Sequence, residues 1–100
     1  MLCLAALLSF GCASSKPAKL DANLAGIWKE YRDLPDSRAL AIAGNPRTDR
    51  WIAGLSGGHA SADAAVESAL RKCRANRVRQ VTPLECKLYA VGDEIVWPGP

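Results

Sequence analysis

The stretch Ser61-Ala-Asp-Ala-Ala-Val-Glu-Ser-Ala-Leu-Arg-Lys-Cys73 decides the fold. Its residues Ala62, Ala65, Val66, Ala69, Leu70 and Cys73 recur at the three- and four-residue spacing of one helix face. Ser61 suits the N-cap, where a hydroxyl accepts a backbone N–H that the first turn leaves unpaired. Asp63 follows in the first turn, where the helix dipole favours a carboxylate. Glu67 and Arg71 stand four apart on the outer face, a spacing that predicts an ion pair. Alanines give this helix little bulk, so it is expected to lie close against a sheet and to end at Cys73.

Strand-like runs flank it. In Arg38–Ala43 the residues Leu40 and Ile42 share one face and the alanines share the other. Residues 44–49 form a turn cluster of Gly, Asn, Pro and Asp. Residues 50–55 then read as a second strand, with Trp51, Ala53 and Leu55 on one face, and the two make a hairpin. Residues 74–83 read as a basic loop. Lys87–Val91 alternates again, Leu88 and Ala90 opposite Tyr89 and Val91, and Gly92-Asp93 turns the chain into a last strand, Glu94–Trp97. Ahead of all this, Leu20, Leu24, Ile27, Trp28 and Tyr31 line one helical face, with Asp21 or Asn23 as cap and Leu34-Pro35 as stop. The predicted architecture is α+β: a small antiparallel sheet of two hairpins with one helix packed on it (ββαββ) over residues 38–97. An extra N-terminal helix is predicted over 20–34.

The chain has 100 residues, enough for one domain, and its 49% hydrophobic and 23% charged residues mark it as globular and not disordered. Much of the apolar fraction is alanine, so the core is thin, and small domains with thin cores need a staple. Residues 1–12 carry no charge. They are too few to span a bilayer, which takes roughly 20 apolar residues, and they fit the hydrophobic region of a secretory signal. A basic region is expected upstream of Met1, because such signals carry positive charge on the cytoplasmic side. Residues 13–19 are small, polar and basic, like a tether. The alternative is a buried N-terminal helix of a cytosolic protein.

Gly11-Cys12, with small residues around it, resembles the lipobox of bacterial lipoproteins. In that family the cysteine after the cut is acylated, palmitate included, and becomes the mature N-terminus. The resemblance implies lipidation of Cys12 and anchoring in the bacterial cell envelope. Because Ala13 and not Asp follows, it implies the outer membrane, with the domain facing the periplasm. The usual leucine three residues before the cysteine is here Ser9, with Leu8 one step further out, and the bulky Phe10 precedes Gly11.

Of the four cysteines, Cys3 leaves with the signal and Cys12 carries lipid. Cys73 and Cys86 remain, an even pair in an oxidising compartment, and are expected to form a disulfide. A loop of that length stabilises by roughly 3 kcal/mol. The alternatives are two unpaired buried thiols, or a zinc site, for which only His59 offers a further soft ligand. No metal or cofactor is expected.

Residues 39–43, the Trp51 strand, Gly58–Ser61, Ala65–Leu70, Cys73, Cys86–Ala90 and Ile95–Trp97 together resemble a family of small secreted bacterial domains of unknown function. In that family an alanine-rich helix ending in cysteine lies between short strands. The resemblance covers about two-thirds of the chain, and its motifs are loose and mostly structural. It implies the fold and the disulfide, and carries over no catalytic residue.

His59 is the only histidine, with Ser56 and Ser61 nearby. A serine–histidine pair suits nucleophilic catalysis, but Ser61 is committed to the cap and no aspartate is marked as the orienting third group. His59 therefore reads as a loop histidine, and no catalytic residue and no enzyme activity are expected. Cys73 as a nucleophile needs a free thiolate, and Cys86 is a ready partner. Arg71, Lys72, Arg74, Arg77 and Arg79 place five positive charges in nine residues with no acid among them. They are the candidate site for a partner or anion: lipopolysaccharide, anionic lipid or an acidic protein face. The competing reading is a solvated face complementing the helix C-terminus. Nucleic acid is not an expected partner, since no stacking aromatics interleave with these charges. Trp51 and Trp97 read as core, while Trp28 with Tyr31 offers an exposed contact site on the first helix. The expected function is a lipid-anchored envelope lipoprotein with a non-catalytic binding or structural domain. The alternative is a protein inhibitor of an envelope hydrolase.

Overall fold

The structure is a computed structural model that describes residues 22–48, 50–80 and 84–99. The expectations for the signal, Cys3, Cys12, the tether, Leu20 and Asp21 lie outside the described residues. A 3-10 turn (Ala22–Leu24) leads into helix α1 (Ala25–Arg32), strands β1 (Ala39–Gly44) and β2 (Trp51–Ser56), helix α2 (Ala62–Gln80), and strands β3 (Cys86–Val91) and β4 (Glu94–Ile95). The strands form one sheet in the order β2-β1-β3-β4, every neighbour antiparallel. β1 is central, and the two hairpins join along the β1–β3 ladder.

β1 has side chains of two sizes, and the strand sends each to its own face. Ala39, Ala41 and Ala43 are buried against Ala65, Ala69 and Cys73 of α2, with Ile52, Val66 and Leu70 at the margin. Leu40 and Ile42 face the other way, into a cluster with Leu24, Tyr31, Tyr89 and Ala90. Trp28, Trp51 and Trp97 pack partly buried around that cluster. The thin side admits helix and strand to backbone contact. A Cβ on Gly54 of β2 would stand 2.5 Å from the Ala69 carbonyl oxygen and 2.9 Å from Cys73 Cα. Ser61 starts α2 as its chemistry dictates, accepting the Ala64 N–H at 3.1 Å.

α2 does not end at Cys73, and residues 74–80 are helix rather than loop. Residues 74–80 include no glycine or proline, and Arg, Ala and Gln favour helix, so nothing in their chemistry stops it there. Cys73 therefore lies inside the helix, bonded to Cys86 at the start of β3 with a Cα–Cα distance of 6.1 Å. Ala62 is exposed, and Ser68 occupies a buried position on the inner face instead. Glu67 and Arg71 do not pair: the ion pairs among the described residues are Lys29–Asp33, Arg38–Asp36 and Arg38–Asp93. Asn23 does not cap α1 but donates to the Thr48 carbonyl at 2.9 Å.

The alternation expected in β3 breaks at one residue. Leu40 pairs with Ala90 and Ala41 with Leu88, which leaves Tyr89 as an extra residue in a β-bulge. Tyr89 and Ala90 consequently both join the aromatic cluster instead of facing opposite ways. β4 is only two residues long. A further bond, Val96 N–H to the Tyr89 carbonyl at 2.8 Å, guides the chain past it, and Trp97 lies outside the strand.

Candidate functional site

The structure brings His59 to Ser56, not to Ser61. Ser56 closes β2 and is 5% exposed, and its Oγ lies 2.6 Å from His59 Nε2 and 2.8 Å from Ser68 Oγ. Ser68 carried no signal beyond its place among the alanines of the buried stripe. Among the described residues no carboxylate orients the other ring nitrogen of His59, and the Ser56 hydroxyl is buried and already shared between two partners. The trio ties the end of β2 to the first half of α2 by satisfying buried polar atoms.

The basic residues of α2 divide into two groups. Lys72 Nζ donates to the Leu55 carbonyl at 3.4 Å, and Asn76 Nδ2 to the Ala53 carbonyl at 2.7 Å. Both carbonyls belong to β2, an edge strand of the sheet, so helix side chains occupy polar groups that an open edge would present to another chain. Arg79 donates to Asn76 Oδ1 and steadies that amide. Arg77 donates to the Leu84 carbonyl at 3.2 Å, across the return to β3. Lys72, Arg77 and Arg79 thus each donate to another group of the domain. Arg71 and Arg74 are exposed, and no ion pair or hydrogen bond of either side chain is formed among the described residues. Val78, one turn further along the same flank, is 70% exposed.

The first helix is fastened from inside. Tyr31 is fully buried, so it is not part of an exposed contact site, and Trp28 packs half-buried between Tyr31 and Tyr89 at centroid distances of 5.3 and 6.3 Å. The Tyr31 hydroxyl donates to the Gly92 carbonyl at 2.7 Å. Arg38, its side chain 11% exposed, lies 5.5 Å from the Tyr31 ring centroid, donates to the Leu34 carbonyl at 3.1 Å and pairs with Asp93. Burial pushes the Tyr31 phenol above its ordinary value, and the neighbouring Arg38 charge offsets part of that rise.

At the far end of the sheet β1 and β3 part company. Gly44 bends β1 with φ +108°, a conformation that strains other residues, and a Cβ there would meet Trp51 Cα at 2.9 Å. Beyond this bend a groove of about 440 Å³ opens, lined by Asn45, Thr48, Arg50, Glu85, Lys87 and Trp97 among others. Trp97 ends a row of rings, its centroid 5.5 Å from that of Tyr89. Neither the tryptophan nor the turn residues signalled this groove in the sequence, since it forms only where three separated segments meet.

Among the described residues no group of three His, Cys, Asp or Glu side chains is placed to hold a metal ion, and no helix is long and apolar enough to cross a membrane. No protein-family model, curated protein or solved structure matches the chain.

Proposed function

We propose that this chain is a lipid-anchored lipoprotein of the bacterial cell envelope whose small domain docks non-catalytically on an anionic headgroup surface. The observation that carries the reading is the outer flank of α2. Arg71 and Arg74 are exposed on it, with no side-chain ion pair or hydrogen bond among the described residues, beside the exposed Val78. Each basic side chain brought to an anionic membrane surface contributes roughly 1 kcal/mol, and a lipid on Cys12 adds the second attachment that stable anchoring requires. The Cys73–Cys86 disulfide suits an oxidising compartment outside the cytoplasm. The resemblance to small secreted bacterial domains supports the same location.

Vesicle flotation of the full chain carrying Cys12→Ala isolates the flank from the anchor. The chain is expected to float with phosphatidylglycerol vesicles and not with phosphatidylcholine vesicles. Arg71→Glu with Arg74→Glu is expected to weaken flotation at least about tenfold, as two reversed charges near the surface require. Equal flotation of the reversed variant refutes the flank. Unchanged membrane fractionation of Cys12→Ala in cells refutes the anchor.

A further inference from the structure

We propose, resting on the lipoprotein reading above, that the groove between Gly44 and Trp97 shelters an acyl chain carried by Cys12. At about 440 Å³ the groove falls among small-ligand sites, which run from roughly 300 to 1,000 Å³. Its wall among the described residues is mostly apolar surface, although Asn45, Thr48 and Arg50 contribute to it. The polar atoms of this turn serve the turn itself. Asn45 Oδ1 accepts the Arg47 N–H at 3.0 Å, and the Thr48 hydroxyl donates to the Asn45 carbonyl at 2.9 Å and accepts the Arg50 N–H at 3.0 Å. Trp97 and Leu84 add two large apolar side chains to the wall. Trp97 is held against Tyr89, ring centroids 5.5 Å apart, and Leu84 is 46% exposed. A hydrocarbon chain suits such a wall, because its attraction is to apolar area and requires no fixed donor or acceptor.

The course of the chain points to the source. Asn23 Nδ2 donates to the Thr48 carbonyl at 2.9 Å, so the first described residues sit at the rim of the groove. Cys12 stands ten positions before Ala22, a length of chain that reaches at most about 35 Å. An acyl group on Cys12 is thus confined to the neighbourhood of the groove, at an effective concentration of about millimolar. A free fatty acid or an apolar side chain of another protein has no such advantage. An open groove covers less of an acyl chain than a bilayer interior does, so the lipid passes to a membrane on contact. Off the membrane, the groove keeps the chain from water.

The test is titration of the oxidised full chain carrying Cys12→Ala with laurate, and in parallel with butyrate, followed by amide and indole N–H chemical shifts. Saturable binding of laurate is expected, with the largest shifts at the Trp97 indole and the Gly44 and Leu84 amides. Butyrate has the same carboxylate and is expected to bind at least about a hundredfold more weakly, the difference that a few buried CH₂ groups make. Leu84→Asp is expected to weaken laurate at least about tenfold and Leu84→Met to keep full binding, which separates the wall from a defect in folding. The source is read by attaching dodecylmaleimide to Cys12 in the Cys3→Ala chain. The Trp97 indole is then expected at its laurate-bound position, and added laurate is expected to cause no further shift. Absence of saturation up to about 1 mM laurate, equal binding of butyrate, or full binding by Leu84→Asp overturns the site. Laurate binding with a dodecyl group that leaves the Trp97 indole at its free position overturns Cys12 as the source and makes a free fatty acid the occupant. The mass of the protein taken from cell envelopes keeps the two readings apart. An unacylated Cys12 overturns the anchor and this source together, whereas an acylated Cys12 with no laurate site overturns the groove alone.

Discussion

Gly54 lies directly beneath Cys73: helix α2 and strand β2 touch backbone to backbone there, with no room for a Cβ between them. Gly54→Ala therefore pushes the helix away from the sheet at the residue that carries the disulfide. Overpacking of this kind costs about 1–3 kcal/mol or more. A lowered urea midpoint with an unchanged slope checks it. An unchanged midpoint would mean that the helix stands further off than described.

Opening the Cys73–Cys86 bond releases a closed loop whose ends are 13 residues apart. Such a loop is worth roughly 3 kcal/mol through the unfolded state, a large share of the stability of a small domain. Reduction by dithiothreitol, or Cys73→Ser with Cys86→Ser, is expected to lower the melting temperature by at least about 10 °C. Calorimetry under both redox conditions measures it, and coincident transitions would refute a stapling role.

Removal of the Ser56 hydroxyl leaves Ser68 buried without its 2.8 Å partner and His59 without its 2.6 Å one. An unsatisfied buried polar group costs about 1–3 kcal/mol. Ser56→Ala is expected to destabilise by that amount, and adding Ser68→Ala is expected to recover part of the loss. A double-mutant cycle in urea reads the coupling directly. Additive losses would disprove the shared tie.

Burial raises the folded-state value of the Tyr31 phenol above the ordinary 10.0, Arg38 offsetting part of the shift. The unfolded chain ionises first. This contribution is therefore fully present below about pH 10 and is lost as the pH climbs through the folded value. Tyr31→Phe is expected to cost about 1 kcal/mol at neutral pH, through the lost bond to Gly92. It is also expected to flatten the alkaline fall in stability, which urea midpoints measured across that range record. An alkaline limb identical in both proteins would refute the assignment.

The two-sided sheet was legible because Leu40 and Ile42 differ so plainly in size from Ala39, Ala41 and Ala43. Ser61 was legible as a cap because a hydroxyl before an apolar period has one economical use. The end of α2 was not, since Cys73 looks like a boundary in the sequence while the residues after it keep every preference of a helix. The bulge at Tyr89 left no trace, because an extra residue in a strand needs no special side chain. The Ser56–Ser68 contact and the groove beside Trp97 depend on residues brought together across long stretches of chain, which local patterns do not encode.

The unequal thickness of the two cores sets opposite rules for how this sequence can change. Around Ala39, Ala41, Ala43, Ala65 and Ala69 there is little volume to lose, and substitutions fail by adding atoms. Around Leu40, Ile42, Tyr31 and Tyr89 the side chains are large, and substitutions fail by removing them. A library of variants sorted by side-chain volume would split along β1 with every second residue, tolerance on one face being sensitivity on the other.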